Sequence, residues 1–159
     1  MQTLEEIVLE ANREIKGEGI AQLDSLQNLR DINVAGLNPG HNSDDTLAAV
    51  CKCARLTKLT VSNFLISDGG LAHISELPSL TDLRITCDGI HAPGLAHLNR
   101  LRRLKSLDLS YSDVSDDALA SLQTLTSLQR LDLTNTRKVT EAGVKSLQAA
   151  LPTTEITKN

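Results

Sequence analysis

Leucine recurs along this chain every two dozen residues, and that spacing restricts the fold more than any other property of the sequence. The hexads Leu56-Thr-Lys-Leu59-Thr-Val61, Leu80-Thr-Asp-Leu83-Arg-Ile85, Leu104-Lys-Ser-Leu107-Asp-Leu109 and Leu128-Gln-Arg-Leu131-Asp-Leu133 begin 24 residues apart. Upstream, Leu29-Arg-Asp-Ile32-Asn-Val34 fits the pattern after a gap of 27. Downstream, Leu151-Pro-Thr-Thr154-Glu-Ile156 fits after a gap of 23, with Thr154 replacing one apolar residue. Near the start, Leu4, Ile7, Val8, Ala11 and Ile15 have the spacing of an amphipathic cap helix. The repeat accounts for more of them: Leu4-Glu-Glu-Ile7-Val-Leu9 is a further copy, and Asn12 to Ile20 aligns with Thr136 to Val144. A first repeat is therefore favoured over a cap helix. Repeats start near residues 4, 29, 56, 80, 104, 128 and 151 of a single domain covering 1–159.

The second half of each unit repeats as well. Apolar residues follow at every third position, as in Leu71, Ile74, Leu77 or Leu95, Leu98, Leu101, with Cys53 in one such slot. This places one face of a short helix and the returning segment against the strand. Ser43, Ser67, Ser115 and Thr140, followed by Asp or Glu, match helix N-caps: a hydroxyl satisfies a free amide, and carboxylates suit the positive end of the helix dipole. Pro93 fits an early helical position that needs no donor. The expected fold is α/β, a solenoid with a parallel concave sheet of about seven short strands and short helices on the convex side. A single unit cannot bury its apolar face; stacked neighbours can.

Composition fits an aliphatic core. The chain has one Phe (Phe64), one Tyr (Tyr111) and no Trp. A net charge of −4 argues against nucleic-acid or anionic-membrane partners, which require a cationic footprint. No apolar run approaches a bilayer span, and Glu5 and Glu6 do not suit a signal peptide. Cys51, Cys53 and Cys87 form neither a disulfide framework nor a zinc spacing. Cys53 is expected inside, Cys87 in a loop beside the core, and the compartment is expected to be cytoplasmic.

With its T/S-D-x-G-L motif ahead of the helix, the chain resembles the leucine-rich repeat superfamily, in the version found in F-box substrate receptors and many bacterial repeat proteins. The resemblance covers about Leu4 to Ile156 and implies a non-enzymatic module that binds another protein, with no cofactor. The position often held by Asn, Thr or Cys in such repeats is here Asn12, Leu37, Phe64, Asp88, Ser112 and Thr136, so a regular buried polar ladder is not expected. No F-box-like segment precedes the first repeat. The alternative, a substrate-recognition or effector fragment of a ubiquitin-ligase-like assembly, requires such a segment ahead of Met1. Unprotected end repeats also invite self-association through a solenoid end.

No catalytic constellation is visible. The recurring Gly19, Gly70, Gly94 and Gly143 read as small residues at helix starts rather than ligand contacts. His73 and His97, one repeat apart, follow repeat geometry better than a metal site, and His41 and His91 have no evident partner. Alternation along a strand sends the residues between the leucines to the concave surface. The columns read Glu5, Arg30, Thr57, Thr81, Lys105, Gln129; then Glu6, Asp31, Lys58, Asp82, Ser106, Arg130; then Val8, Asn33, Thr60, Arg84, Asp108, Asp132, Glu155. Asp108 and Asp132 are expected to be neighbours on a solvated face balanced by Lys105 and Arg130, not a catalytic pair. Arg84 and Arg130 are the expected hot spots, with Tyr111 as the aromatic anchor on an adjoining loop. The candidate partner-binding residues are Lys58, Asp82, Arg84, Lys105, Asp108, Tyr111, Arg130 and Asp132. Phe64 is expected to point inward. Two irregular features remain open. The long segment Ala35 to Asn42 is either a contact loop or a tolerated insertion. The run Arg100, Arg102, Arg103, Lys105 is either a solvated rim or a docking patch for an acidic partner.

Overall fold

A computed structural model of the chain describes residues 4–10, 20–36, 43–63 and 66–159. Seven strands form one parallel sheet in chain order: β1 Glu6–Glu10, β2 Asp31–Ala35, β3 Lys58–Ser62, β4 Asp82–Thr86, β5 Ser106–Asp108, β6 Arg130–Asp132 and β7 Glu155–Thr157. Helices α1 Ser43–Val50, α2 Asp68–Ile74, α3 Ala92–His97, α4 Asp116–Ala120 and α5 Glu141–Ala150 return the chain between strands, and a 3-10 turn over Ala21–Ser25 does so after β1. This is the expected solenoid. The segment around Leu4 to Leu9 is a strand paired in parallel with β2, not a cap helix. Phe64, Leu37, Gly19, His41 and most of the Ala35 to Asn42 segment lie outside the described residues.

Stacking decides burial. The columns Leu29/Leu56/Leu80/Leu104/Leu128 and Val34/Val61/Ile85/Leu109/Leu133 are buried along the solenoid axis, and the helix-side leucines close the core behind them. Each such side chain, fully removed from water, contributes about 1.5–3 kcal/mol. The column fails at the first repeat, where nothing precedes it: Leu4 is 52% exposed, and Ile7 and Leu9 are only partly buried. Cys53 fills its inward slot, and Cys87 lies buried against the Val61 carbonyl.

The last repeat departs from the expected register. Glu155 pairs with Arg130 and Ile156 with Leu131, so Glu155 does not extend the Asp108/Asp132 column. Helix α5 runs two turns and more, and its last turn draws Leu151 into the core. Thr154 then takes the place of a strand-start leucine, buried and donating its hydroxyl to the Leu128 carbonyl at 2.8 Å.

Strands β5 and β6 are shorter than β1 to β4. Each ends at an aspartate whose Oδ1 accepts the amide two residues on: Asp108 from Ser110 at 2.9 Å and Asp132 from Thr134 at 2.8 Å. Such a side-chain turn diverts the chain from the ladder. Ser112 and Thr136, in the usual polar-ladder position, are buried and donate to Leu109 and Leu133 in their own repeats.

The helix starts are locked between repeats. Ser67 accepts the Gly69 amide as N-cap and donates its hydroxyl to Asp44 of the preceding helix. Thr140 accepts the Gly143 amide and donates to Asp116 Oδ2 at 2.6 Å, while its own amide donates to Asp116 Oδ1 at 2.8 Å. Ser115 and His91 occupy N-cap positions without a side-chain cap bond. The aspartate of one repeat sits where a Cβ of the next would stand: Asp44 against Gly70, Asp68 against Gly94 and Asp116 against Gly143. Where the preceding residue is Ala92, the chain carries Ala118 instead of glycine. The recurring glycines are therefore required by a carboxylate on the neighbouring coil. Gly143→Ala displaces Asp116 from Thr140 and is expected to lower unfolding stability by about 1–2 kcal/mol. In Asp116→Ala the same glycine substitution is expected to cost much less, as a double-mutant cycle in urea will measure.

Candidate functional site

Because inward leucines alternate with outward residues, two columns cover the concave face. One runs Glu6, Asp31, Lys58, Asp82, Ser106, Arg130, Glu155, and the other Val8, Asn33, Thr60, Arg84, Asp108, Asp132, Thr157. Lys58 Nζ lies 2.6 Å from Asp31 Oδ2, and that hydrogen bond raises the lysine pKa against the opposing effect of burial; Asp31, Glu6 and Asp82 add to the rise by charge. Asp82 accepts the Thr81 hydroxyl at 2.7 Å. Arg84 Nε lies 3.2 Å from Asp108 Oδ2. Asp108 and Asp132 are neighbours, as expected. The charge on Asp108 is balanced by Arg84 rather than by Lys105, and one oxygen of each carboxylate holds a turn amide.

Among the candidate residues, Asp108, Arg130 and Asp132 converge with Glu155 and Thr157 on one open groove of about 220 Å³ at the C-terminal end of this face. Asp82 stands on the next strand, paired with the lining residue Ser106, and Lys58 one strand further. Lys105 is not on the concave face: its register parity is that of the inward Leu107 and Leu109, and it lies just ahead of β5. The same correction applies to Arg30, Thr57 and Thr81, which join Lys105 along the edge where the strands begin.

Tyr111 stands on the turn after β5, 67% exposed, with φ of 58°. The equivalent turns place Gly36, Asn63 and Asn135 in this left-handed conformation, residue types that tolerate it; a bulky side chain there costs about 1–3 kcal/mol. Beside the ring lies a hollow of about 330 Å³ lined by Asp88, Ser112, Asp113, Asn135, Arg137 and Lys138. Asp113 ties three repeats together, accepting the Gly89 and Ile90 amides at 3.1 and 3.2 Å and pairing with Lys138 at 3.2 Å. Burial pushes its carboxyl up, but the Lys138 hydrogen bond and the two amides outweigh that and hold it below the ordinary carboxylate range. Neither Asp113 nor Lys138 stood out in the sequence, because their meeting depends on stacking between repeats and recurs in no column.

Elsewhere, burial pushes the Cys51 thiol up to about 12, with Glu76 and Cys53 adding to the shift. It is a packing residue rather than a nucleophile at neutral pH. His73 and His97 are each partly buried in the last turn of their helices, and no group of three or more His, Cys, Asp or Glu among the described residues is placed to hold a metal. No helix among them is long and apolar enough to cross a membrane.

Residues 101–122 match a family model described as Leucine Rich repeat. No curated protein matches the chain by sequence. Among solved structures, the chain is similar to an internalin, InlF, from Listeria monocytogenes, with a TM-score of 0.59 at 18% identity over 98% of this chain and 47% of that one. It is similar to internalin C2 of the same organism, with a TM-score of 0.58 at 16% identity over 87% of this chain and 65% of that one. It also resembles a chain of the mouse RP105/MD-1 complex, with a TM-score of 0.59 at 21% identity over 98% of this chain and 26% of that one. The chain thus spans about half the length of the first of these structures or less in the last, and at such identities the likeness is one of fold.

Acid should act on the two bridging carboxylates. Asp113 is held down as above; Asp116 is held down by the Thr140 hydroxyl, then by the Thr140 amide, against slight burial and with help from Lys158. Folded values below unfolded ones add stability above about pH 4 that is lost as pH falls through the lowered values. The thermal midpoint of the wild type should therefore fall more steeply below about pH 4 than that of Asp113→Asn/Asp116→Asn.

Proposed function

We propose that this leucine-rich repeat protein binds a partner protein through the C-terminal part of its concave face and the adjoining Tyr111 loop. Leucine-rich repeat folds generally serve as protein-interaction modules, and the RP105 structure was solved with MD-1. The observation that carries the reading is Tyr111. The chain's only tyrosine is held exposed in a backbone conformation that Asn or Gly would adopt at lower cost. Strain of that kind is retained where the side chain has work outside the fold. Tyrosine suits a hot spot because it brings a large amphipathic surface with little rotamer entropy.

Arg130 completes the surface. It is exposed, and among the described residues it takes part in no ion pair, while Asp108, Asp132 and Glu155 share its groove. Arg84 is committed to Asp108 within the chain and serves to orient that carboxylate. A partner presenting an acidic group to Arg130 and an apolar patch to Tyr111 fits this arrangement.

Affinity capture from native lysate with the wild type, followed by mass spectrometry, identifies the partner. Arg130→Glu and Tyr111→Asn are each expected to weaken that capture by about tenfold or more, the scale of a lost hot spot. Tyr111→Asn is at the same time expected to raise unfolding stability by about 1 kcal/mol, because it relieves the left-handed strain. Undiminished capture by both folded variants would remove this surface as the binding site.

A further inference from the structure

The edge where the strands begin carries a second charged surface. Two residues flank the buried leucine at each strand start, so they recur in columns one repeat apart, 24 residues from repeat to repeat after a first gap of 27. One column is Arg55, Ser79, Arg103, Ser127; the other runs Glu5, Arg30, Thr57, Thr81, Lys105, Gln129, and its members from Arg30 to Lys105 face the same groove as the first column. With Arg102 they line one open groove of about 560 Å³ in which no carboxylate takes part. Five of the chain's 16 lysines and arginines gather here although the chain has a net charge of −4. The three ion pairs among the described residues involve Lys58, Arg84 and Lys138, none of these five.

The groove is organised. Arg30 Nη1 donates to the carbonyls of Gln27 and Leu29 at 3.2 and 3.1 Å, and Arg55 Nη1 to that of Gln27 at 3.3 Å. Neutral carbonyls thus hold both guanidiniums side by side without cancelling their charge. Thr57 donates to the Arg30 carbonyl of the preceding repeat at 3.3 Å, and Thr81 shares its hydroxyl proton between the Thr57 carbonyl at 3.0 Å and Asp82 Oδ2 at 2.7 Å, which knits the floor between repeats. The result is two cationic clusters, Arg30 with Arg55 and Arg102 with Arg103 and Lys105, separated by hydroxyl-bearing positions. Like charges gathered outside any ion pair raise the free energy of the unliganded protein and concentrate the field in the cleft. Arginine in particular matches carboxylates with paired donors.

We propose that this groove binds an extended acidic peptide segment, distinct from the surface around Tyr111. The spacing favours a chain over a small anion. Three repeat intervals separate Arg30 from Lys105, about 14 Å at strand spacing. Residues i and i+4 of an extended peptide point the same way and lie about 13 Å apart. Acidic side chains at i and i+4 therefore reach both clusters at once, whereas one phosphate reaches one.

The probe is a fluorescent hexapeptide, Asp-Asp-Gly-Ser-Asp-Asp, titrated against the full chain by anisotropy at low salt. Arg55→Ser and Arg103→Ser place at each position the residue that the repeat itself uses at Ser79 and Ser127, so the fold is retained. Each is expected to weaken binding by about threefold to tenfold, and the double variant by more than either. Replacing either Asp pair of the peptide by Asn should weaken binding to a similar degree, and Tyr111→Asn should leave it unchanged. Equal binding of an all-Asn peptide would overturn the proposal. So would loss on Arg103→Ser alone with no effect of Arg55→Ser, together with displacement by inorganic phosphate, which is the behaviour of a single-anion site. Tighter binding of an eight-residue oligothymidylate than of the peptide would overturn it in favour of a nucleic-acid groove.

Discussion

Everything in this molecule depends on apolar contact between successive coils. No repeat has an inside of its own: Leu80, Leu83 and Ile85 are buried only because Leu56, Leu59 and Val61 lie on one side and Leu104, Leu107 and Leu109 on the other. The parallel ladder adds backbone pairing at every step, and the two act together because the same register aligns leucines and amides. The consequence is visible at the first coil, where Leu4 stays half exposed and Ile7 and Leu9 are only partly buried for want of a preceding neighbour. At the other end, the longer helix α5 and the buried Thr154 hydroxyl close the stack differently.

Stacking also carries polar chemistry between coils. Asp44 and Asp116 each reach from one helix start to the N-cap hydroxyl of the next. Their carboxylates leave no space for a Cβ at Gly70 and Gly143. Asp68 meets Gly94 in the same way, but the following N-cap is His91, and Asp68 Oδ1 is left buried without a hydrogen-bond partner. One coil's carboxylate and the next coil's glycine are thus a single structural unit. The exception, Ala92 followed by Ala118, obeys the same steric logic. Asp113 extends the pattern across three coils on the opposite side of the turn.

The charged surfaces divide by what the fold does with each charge. On the N-terminal and central concave face, Lys58 and Arg84 are neutralised by Asp31 and Asp108. Toward the C-terminal end Arg130 remains outside such pairs among the described residues, and the strained, exposed Tyr111 stands on the turn beyond the other end of the strands. At the strand-start edge five cations stand outside the ion pairs of the described residues, with Arg30 and Arg55 held by neutral carbonyls. Pairing stiffens a surface, whereas an uncompensated charge on a rigid scaffold is available to a ligand.

Periodicity alone determined the solenoid, the seven strands, the inward leucines and the small residue at each helix start, because burial in a stacked array demands the same residue type at the same place in every coil. Tertiary structure decided what periodicity does not encode. The final strand slipped its expected alignment because α5 consumes more chain and Ile156, not Thr154, best covers Leu131. Lys105 and Arg30 left the concave face because their parity is that of the leucines, and ahead of the strand such side chains turn out at the edge. Only there do Arg30 and Arg55, distant in sequence from Arg103, share a groove with it. Such encounters are decided by how coils stack in space, since a side chain in a solenoid meets partners one and two repeats away that no local pattern of residues identifies.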